Sequence, residues 1–327
     1  MSLKLELKID IIIAMNRNQH LQDVLESHRM KHVQNFVDKM TTRKDEIAEF
    51  LKEQYGNDAY NTFNSGSMAK HTATNIKFDM DIVIPFKHEA FNTLQGMYDD
   101  VFDKLNDKYK DEAEEVRKQK VSIGISFKKE DGDDRAVEID VVPGRETSAD
   151  NYKENDDLNI YIHKATWGQE DGGYMKTNIA KQRDHIKGKT DERKTIRLLK
   201  IWKKHHDKKY KSFAIELMVI KAFDDYSGGN SLWERLEHAM KYISDNVTDS
   251  SFHVYDPGNG NNDVIAAMSD SDRRALKTDM DTMLMNIESN DEYFLPYYFP
   301  INMKYFNGYK EKKEGSPYPT SPKRFGR

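Results

Sequence analysis

Three aspartates carry the densest chemistry in this sequence. Asp79 and Asp81 stand one residue apart in "FDMDIVIPF", and Asp140 stands in "AVEIDVVPG". In a strand, residues i and i+2 point the same way with Cβ atoms roughly 6–7 Å apart. Asp79 and Asp81 would then present two carboxylates side by side. Withdrawn from water without a cation, such groups repel until one binds a proton. A divalent cation relieves the repulsion. Hard carboxylate oxygens suit Mg2+, which keeps several waters and draws further ligands from substrate phosphates. Asp140 supplies a third carboxylate, enough for two-metal chemistry at a phosphorus. Upstream, "NSGSM" places Gly66 between Ser65 and Ser67. Glycine lets backbone approach a ligand closely, and turn N–H groups with flanking hydroxyls suit phosphate oxygens. A Gly-Ser pair or a lone Asp-x-Asp is a weak signal; the ordered combination is a strong one.

The elements around these residues are those such a site requires. Over 78–86, Phe78, Met80, Ile82, Ile84 and Phe86 alternate with Asp79, Asp81, Val83 and Pro85, which predicts a strand with the carboxylates on one face. Val121, Ile123, Ile125 and Phe127 alternate likewise, "KKEDGDDR" makes a turn, and Val137, Ile139 and Val141 return opposite Glu138, Asp140 and Val142, which predicts a hairpin. Residues 17–54 carry apolar side chains at helical spacing, among them Leu21, Val24, Phe36, Met40, Ile47 and Leu51, in one long helix or two abutting ones. Residues 61–67 read as a turn and 88–118 as a charged helix. Beyond 150 the strand signals fade. Helices are expected at 192–206, 211–226, 231–247 and 270–288, with a loop at 252–263. Leu3, Leu5, Leu7, Ile9 and Ile11 alternate with charges as a strand would, and the Pro/Ser/Lys-rich end is predicted to be mobile. The fold class is α+β, laid out as an extension (1–16), a mixed α/β lobe (17–150), a helical lobe (151–310) and a tail (311–327).

With 327 residues, 37% hydrophobic and 33% charged, the chain can build a sizeable core under a charged surface. No run of about 18 apolar residues predicts a membrane span, and the charged N-terminus does not read as a signal peptide. The absence of cysteine removes disulfides and thiolate zinc sites and favours a cytoplasmic address. A net charge of -5 opposes a role wrapping duplex DNA, whose affinity comes from phosphate contacts. One window differs: eleven Lys and Arg between Lys187 and Lys211 face only Asp191, Glu192 and Asp207. Either this is a solvated helix face, or a few of its cations point into a phosphate site. His163, His185, His205 and His206 have no metal-ligand spacing.

"GSMAKHTATNIKFDMDIVIPF" with "VEIDVVP" resembles the DNA polymerase β-type nucleotidyltransferases, and within them the cGAS/DncV-like nucleotidyltransferases (CD-NTases), which make cyclic oligonucleotide signals in bacterial anti-phage defence. "RLLKIWKKHHDKKYKSFAIEL", "KTN" at 176–178, "DPGNGNN" at 256–262 and the long helix before the Gly-Ser turn are similar too. The resemblance spans roughly 17–300. It implies a polymerase β-like core, a mixed sheet with a long spine helix, completed by a helical C-terminal lobe. It further implies that Asp79, Asp81 and Asp140 bind two Mg2+ ions, with Mn2+ as a substitute, and that Asp140 helps deprotonate the attacking hydroxyl. Ser65, Gly66 and Ser67 would hold the donor triphosphate. Lys200 would contact its β- and γ-phosphates with Ser212 adding a hydroxyl; alternatively Lys200 snorkels at a helix edge. Phe213 would stack on a base, or simply pack in the core. Asn178 and Asp256 either line the acceptor base or serve as cap and turn residues. Substrates would be ATP, GTP or pyrimidine triphosphates, and an effector protein would bind the product. No double-stranded DNA activator and no membrane are expected, and a monomer is compatible with the reading. RNA-tailing, tRNA-end, antibiotic-adenylylating and AMP-transferring enzymes share the Gly-Ser and triple-Asp core and stay as alternatives, as does a binding module without catalysis.

Overall fold

The computed structural model describes residues 15–150, 152–163 and 172–306. Helix α1 (Arg17–Ser27) starts at Asn16, whose side chain accepts the Gln19 N–H. A 3-10 turn at Met30–Val33 separates it from α2 (Gln34–Tyr55), so the 17–54 pattern is two abutting helices. β1 (Phe63–Ser65) and α3 (Gly66–Ala69) occupy the stretch expected to be a turn. There follow β2 (Met80–Phe86), α4 (Leu94–Tyr109), β3 (Ala113–Lys118), β4 (Ile123–Phe127), β5 (Glu138–Glu146), α5 (Tyr152–Asn155), β6 (Leu158–Tyr161) and β7 (Tyr174–Thr177). The rest is α6 (Ile179–His185), α7 (Thr190–His205), α8 (Ser212–Ala222), α9 (Leu232–Asn246), the hairpin β8 (Tyr255–Asp256) and β9 (Asn259–Asp263), α10 (Asp270–Ser289) and α11 (Asp291–Tyr298). A Ser231–Glu234 capping box starts α9.

The sheet runs β1-β2-β5-β4-β3, with β2 and β5 parallel and the other pairs antiparallel. β5 has two partners on its far edge: β4 along its first half and β6, then β7, along its second. The alternation read from the sequence holds on both faces. Phe78, Met80, Ile82, Ile84, Phe86, Ile139 and Val141 enter one core with α2 and α4, while Val83 and Val142 join Leu158 and Ile160 in a smaller one on the other face. A separate helical core gathers α7 to α11.

Four further expectations need correction. Residues 113–118 form β3, an edge strand whose outward Glu and Arg side chains mask its period. Strands do continue past 150, as β6 and β7, too short for periodicity to detect. Residues 255–263 form a hairpin rather than a plain loop. The division near 150 does not follow the packing: β6 and β7 extend the sheet, while Leu21 and Val24 of α1 sit in the helical core. The strand expected at Leu3–Ile11 and the tail at 311–327 lie outside the described residues. Among the described residues no helix is long and apolar enough to cross a membrane.

Candidate active site

Register brings the chemistry together. Ser65 pairs with Asp81 across β1 and β2, Asp81 with Asp140 across the parallel pair, and Asp140 with Gly124 across β5 and β4. Directly opposed residues share a sheet face. Asp81 and Asp140 therefore stand side by side on adjacent strands, about 5 Å apart at the backbone. Asp79 lies two residues before Asp81 at the mouth of β2. The residues one step further in on the same face, Val83 and Val142, are apolar and buried, so the carboxylates stand on a dry floor.

That placement is electrostatically frustrated. Burial, then Asp79, then Asp140 push the Asp81 carboxyl up to about 7, with Lys70 and Lys200 opposing. Burial and Asp79 push Asp140 up to about 6, opposed by Arg117 and by a hydrogen bond from Gln119. Carboxyl groups held this way fit a divalent cation, which would relieve both the burial cost and the repulsion. Among the described residues no three His, Cys, Asp or Glu side chains close around one ion position by themselves.

Gly66 has a specific reason to be glycine. Its φ is 66°, and a Cβ there would lie 1.6 Å from Asp81 Oδ2. The Gly-Ser turn is thus pressed directly on the carboxylate row. Ser65 is buried, and Ser67 is the second residue of the short helix α3, whose first-turn N–H groups have no intrahelical acceptor.

The opposite wall comes from α7 and α8. Lys200 Nζ donates to the Thr72 carbonyl (3.0 Å) and lies near Thr72 Oγ1 (3.4 Å). Burial lowers its ammonium to about 8, with Glu216 and Asp79 opposing. Lys200 faces the cleft instead of snorkelling to solvent. Lys203 donates to Ser212 Oγ at 2.9 Å. Lys70, just after α3, pairs with buried Glu216 of α8 at 2.7 Å and lies 4.5 Å from the Phe213 ring centre. Phe213 is half-buried against the helical core.

Asn178 and Asp256 stand apart from this cleft chemistry, their polar atoms committed. Asn178, 1% exposed, caps α6 by accepting the Lys181 N–H at 2.8 Å and donates to Asp157 Oδ1 at 2.8 Å and to the Asn155 carbonyl. Asp256, 2% exposed, accepts from Gln182 (2.9 Å), the Gly258 N–H (2.8 Å) and Asn262 (3.3 Å). A Cβ on Gly258 would lie 2.6 Å from the Asn178 carbonyl oxygen, so the two residues belong to one bracket tying the β8–β9 hairpin to α6.

Two residues beside the carboxylates escaped the sequence reading. Lys70 had no signal beyond its closeness to the turn. Gln119 had one, the glycine inside β4, since glycine in a strand marks close approach. The Gln119 amide donates to Asp140 Oδ1 at 3.0 Å, and Ser122 Oγ donates to its carbonyl end at 3.0 Å. The Tyr98 hydroxyl receives the Gln119 N–H (3.0 Å) and reaches the carbonyls of Gln119 (2.8 Å) and Ser122 (2.7 Å). A Cβ on Gly124 would lie 2.3 Å from Gln119 Nε2. The glycine keeps the path from Gln119 to Asp140 open.

Comparison with known proteins places the fold. No protein-family profile matches the chain, and no curated protein matches it by sequence. Solved structures do. The Bradyrhizobium diazoefficiens CD-NTase CdnG, solved with GTP, superimposes with a TM-score of 0.67 at 12% identity over 86% of this chain and 95% of its own. Escherichia coli MS115-1 CdnC, solved with ATP, gives 0.64 at 19% identity over 86% and 93%. Vibrio cholerae DncV, a cyclic AMP-GMP synthase, gives 0.56 at 13% identity over 89% and 87%. The chain has the α+β, polymerase β-like fold of the CD-NTases.

Proposed function

We propose that this chain is a nucleotidyltransferase that joins ribonucleoside triphosphates into a cyclic di- or trinucleotide and releases pyrophosphate. The observation that carries the reading is the in-register pairing of Asp81 with Asp140, capped by Gly66 and faced by Lys200, in a fold shared with cyclic-nucleotide synthases. Asp79, Asp81 and Asp140 would hold two Mg2+ ions, Mn2+ substituting, which when bound would supply Lewis-acid stabilisation of the charge that develops at the phosphorus.

The chain's own residues do the rest. Ser65, Gly66 and Ser67 cradle the donor triphosphate against the carboxylate row. Lys200 balances the charge on its outer phosphates, and Lys203 orients the Ser212 hydroxyl toward them. Phe213 offers a ring face to a base. Asp140 accepts the proton of the attacking ribose hydroxyl while Gln119 fixes its orientation. The hydroxyl oxygen bonds to the α-phosphorus as the bond to the pyrophosphate oxygen breaks. A second attack within the linear product closes the ring. Asn178 and Asp256 brace the β8–β9 hairpin against α6. Positioning and electrostatics supply most of the rate. The product is read as a signal for an effector protein in anti-phage defence.

The test is direct. Purified protein is incubated with all four ribonucleoside triphosphates and Mg2+, treated with phosphatase and analysed by mass spectrometry beside an Asp79→Ala control. A phosphatase-resistant cyclic di- or trinucleotide, absent from the control, is the expected result. A polymer tail on added RNA instead would replace the reading with an RNA-tailing enzyme.

A further inference from the structure

A second charged site lies on α1, α7 and α9, lined by none of the cleft residues. These helices bound a cavity of about 400 Å³ whose charged lining is Arg29, Lys194, Arg197 and Arg235 against Glu26 and Asp191. Both acids are already shared. Glu26 pairs with Arg29 at 2.9 Å and with Lys31; Asp191 pairs with Lys194 at 3.0 Å and with Arg235 at 2.7 Å. Arg197 is left over. Among the described residues its guanidinium has no ion pair or hydrogen bond, and its Nε is sealed from water without an acceptor. The Nε of Arg193, one turn earlier on α7, is in the same condition. Like charges at this helical spacing repel. Burial, then Arg29 and Arg193, hold the Arg197 guanidinium below the usual arginine range.

A guanidinium without a counter-ion whose Nε is sealed from water is costly, and each buried donor without an acceptor calls for a cause. Here the cause fits a ligand. Four lining cations against two acids leave an excess of two positive charges, which favours a small polyvalent anion. The planar guanidinium fork matches phosphate oxygens two at a time. The volume suits a small metabolite and not a duplex or a helix. We propose that this cavity binds a small phosphorylated anion, gripped by Arg197 with Arg29 at its side.

The site is independent of the reaction assigned to the cleft, and the test keeps the two apart. Inorganic pyrophosphate is titrated calorimetrically at pH 8, without divalent cation, into the intact protein carrying Lys200→Gln, which weakens anion binding in the cleft. Binding should persist there, and adding Arg197→Gln should weaken it at least about tenfold, the order expected for a lost charge-assisted bidentate contact. Arg197→Lys should fall between. No heat in the Lys200→Gln protein, or equal affinity with and without Arg197→Gln, overturns the proposal. Folding is checked separately. Without ligand, Arg197→Gln should leave the melting temperature unchanged or raise it, because an unpaired buried charge is gone; a fall would mark the guanidinium as structural and equally overturn the site. Exposed Arg29 gives a variant with little folding risk, and Arg29→Gln should weaken pyrophosphate in the same direction.

Discussion

The carboxylate row and the Asn178–Asp256 bracket are both polar clusters closed in by the fold, and they are built on opposite terms. In the bracket each buried polar atom has a partner: Asn178 caps a helix and binds Asp157, and Asp256 accepts from three donors. In the row, like charges face one another, and Asp81 and Asp140 are pushed up to about 7 and about 6. Satisfied polar groups rigidify a fold. Frustrated ones persist where a ligand relieves them. The contrast separates residues that brace the fold from residues held in a state a ligand would relieve, without reference to any relative.

The largest effect that would sharpen this contrast is Asp81→Asn. It should lower activity by about 10³-fold or more, the several kcal/mol that metal-assisted charge stabilisation supplies. The same change should raise the melting temperature of the cation-free protein, since it removes an uncompensated charge. An active or a destabilised Asp81→Asn protein would break the comparison. Next comes Gln119→Ala, which should cost about 10- to 100-fold in activity and in Mn2+ affinity measured by spin resonance, as loss of a residue that orients a metal ligand does. Gly124→Ala should reproduce it by displacing the same amide; unchanged Mn2+ affinity in both would remove Gln119 from the site. On the other side, Asn178→Ala should cost about 1–3 kcal/mol of stability through a lost cap and an unpaired Asp157. Activity per folded molecule should stay within about twofold, the small effect of a residue outside the reacting groups.

The smallest effect is a pH dependence. Asp81 and Asp140 ionise higher in the folded chain than in the unfolded one, so their contribution is unfavourable where they are charged. The penalty is absent below the unfolded value, near 4, and complete above about 6 for Asp140 and about 7 for Asp81. The rise in melting temperature produced by Mg2+ should therefore be larger at pH 8 than at pH 5. A rise independent of pH, followed by scanning calorimetry, would show that these carboxyls do not hold the cation.

The sequence made the row legible because strands have a strict period of two. Phe78 to Phe86 and Val137 to Val142 each declare a polar face, and register needed only the sheet order to join them. Gly66 was legible only through its order in the chain, a Gly-Ser turn followed by the paired aspartates, since a Gly-Ser pair alone is common. What stayed hidden depended on partners far along the chain. Nothing local to Asn178 tells that its amide reaches Asn155 and Asp157, or that Lys70 meets Glu216. β3, β6 and β7 are short, and β3 is charged, so their membership of the sheet is decided by pairing rather than by pattern.

The Lys70–Glu216 pair sets a condition on residence time. Glu216 is buried, and in the empty cleft it already neutralises the ammonium nearest the Gly-Ser turn. A polyphosphate that recruits Lys70 must strip it from that internal counter-ion and leave a carboxylate stranded, and breaking a buried pair is costly. An anion that recruits Lys70 therefore enters by exchange rather than by simple addition. When such an anion leaves, Glu216 stands ready to reclaim its lysine, so the fold itself favours release over retention.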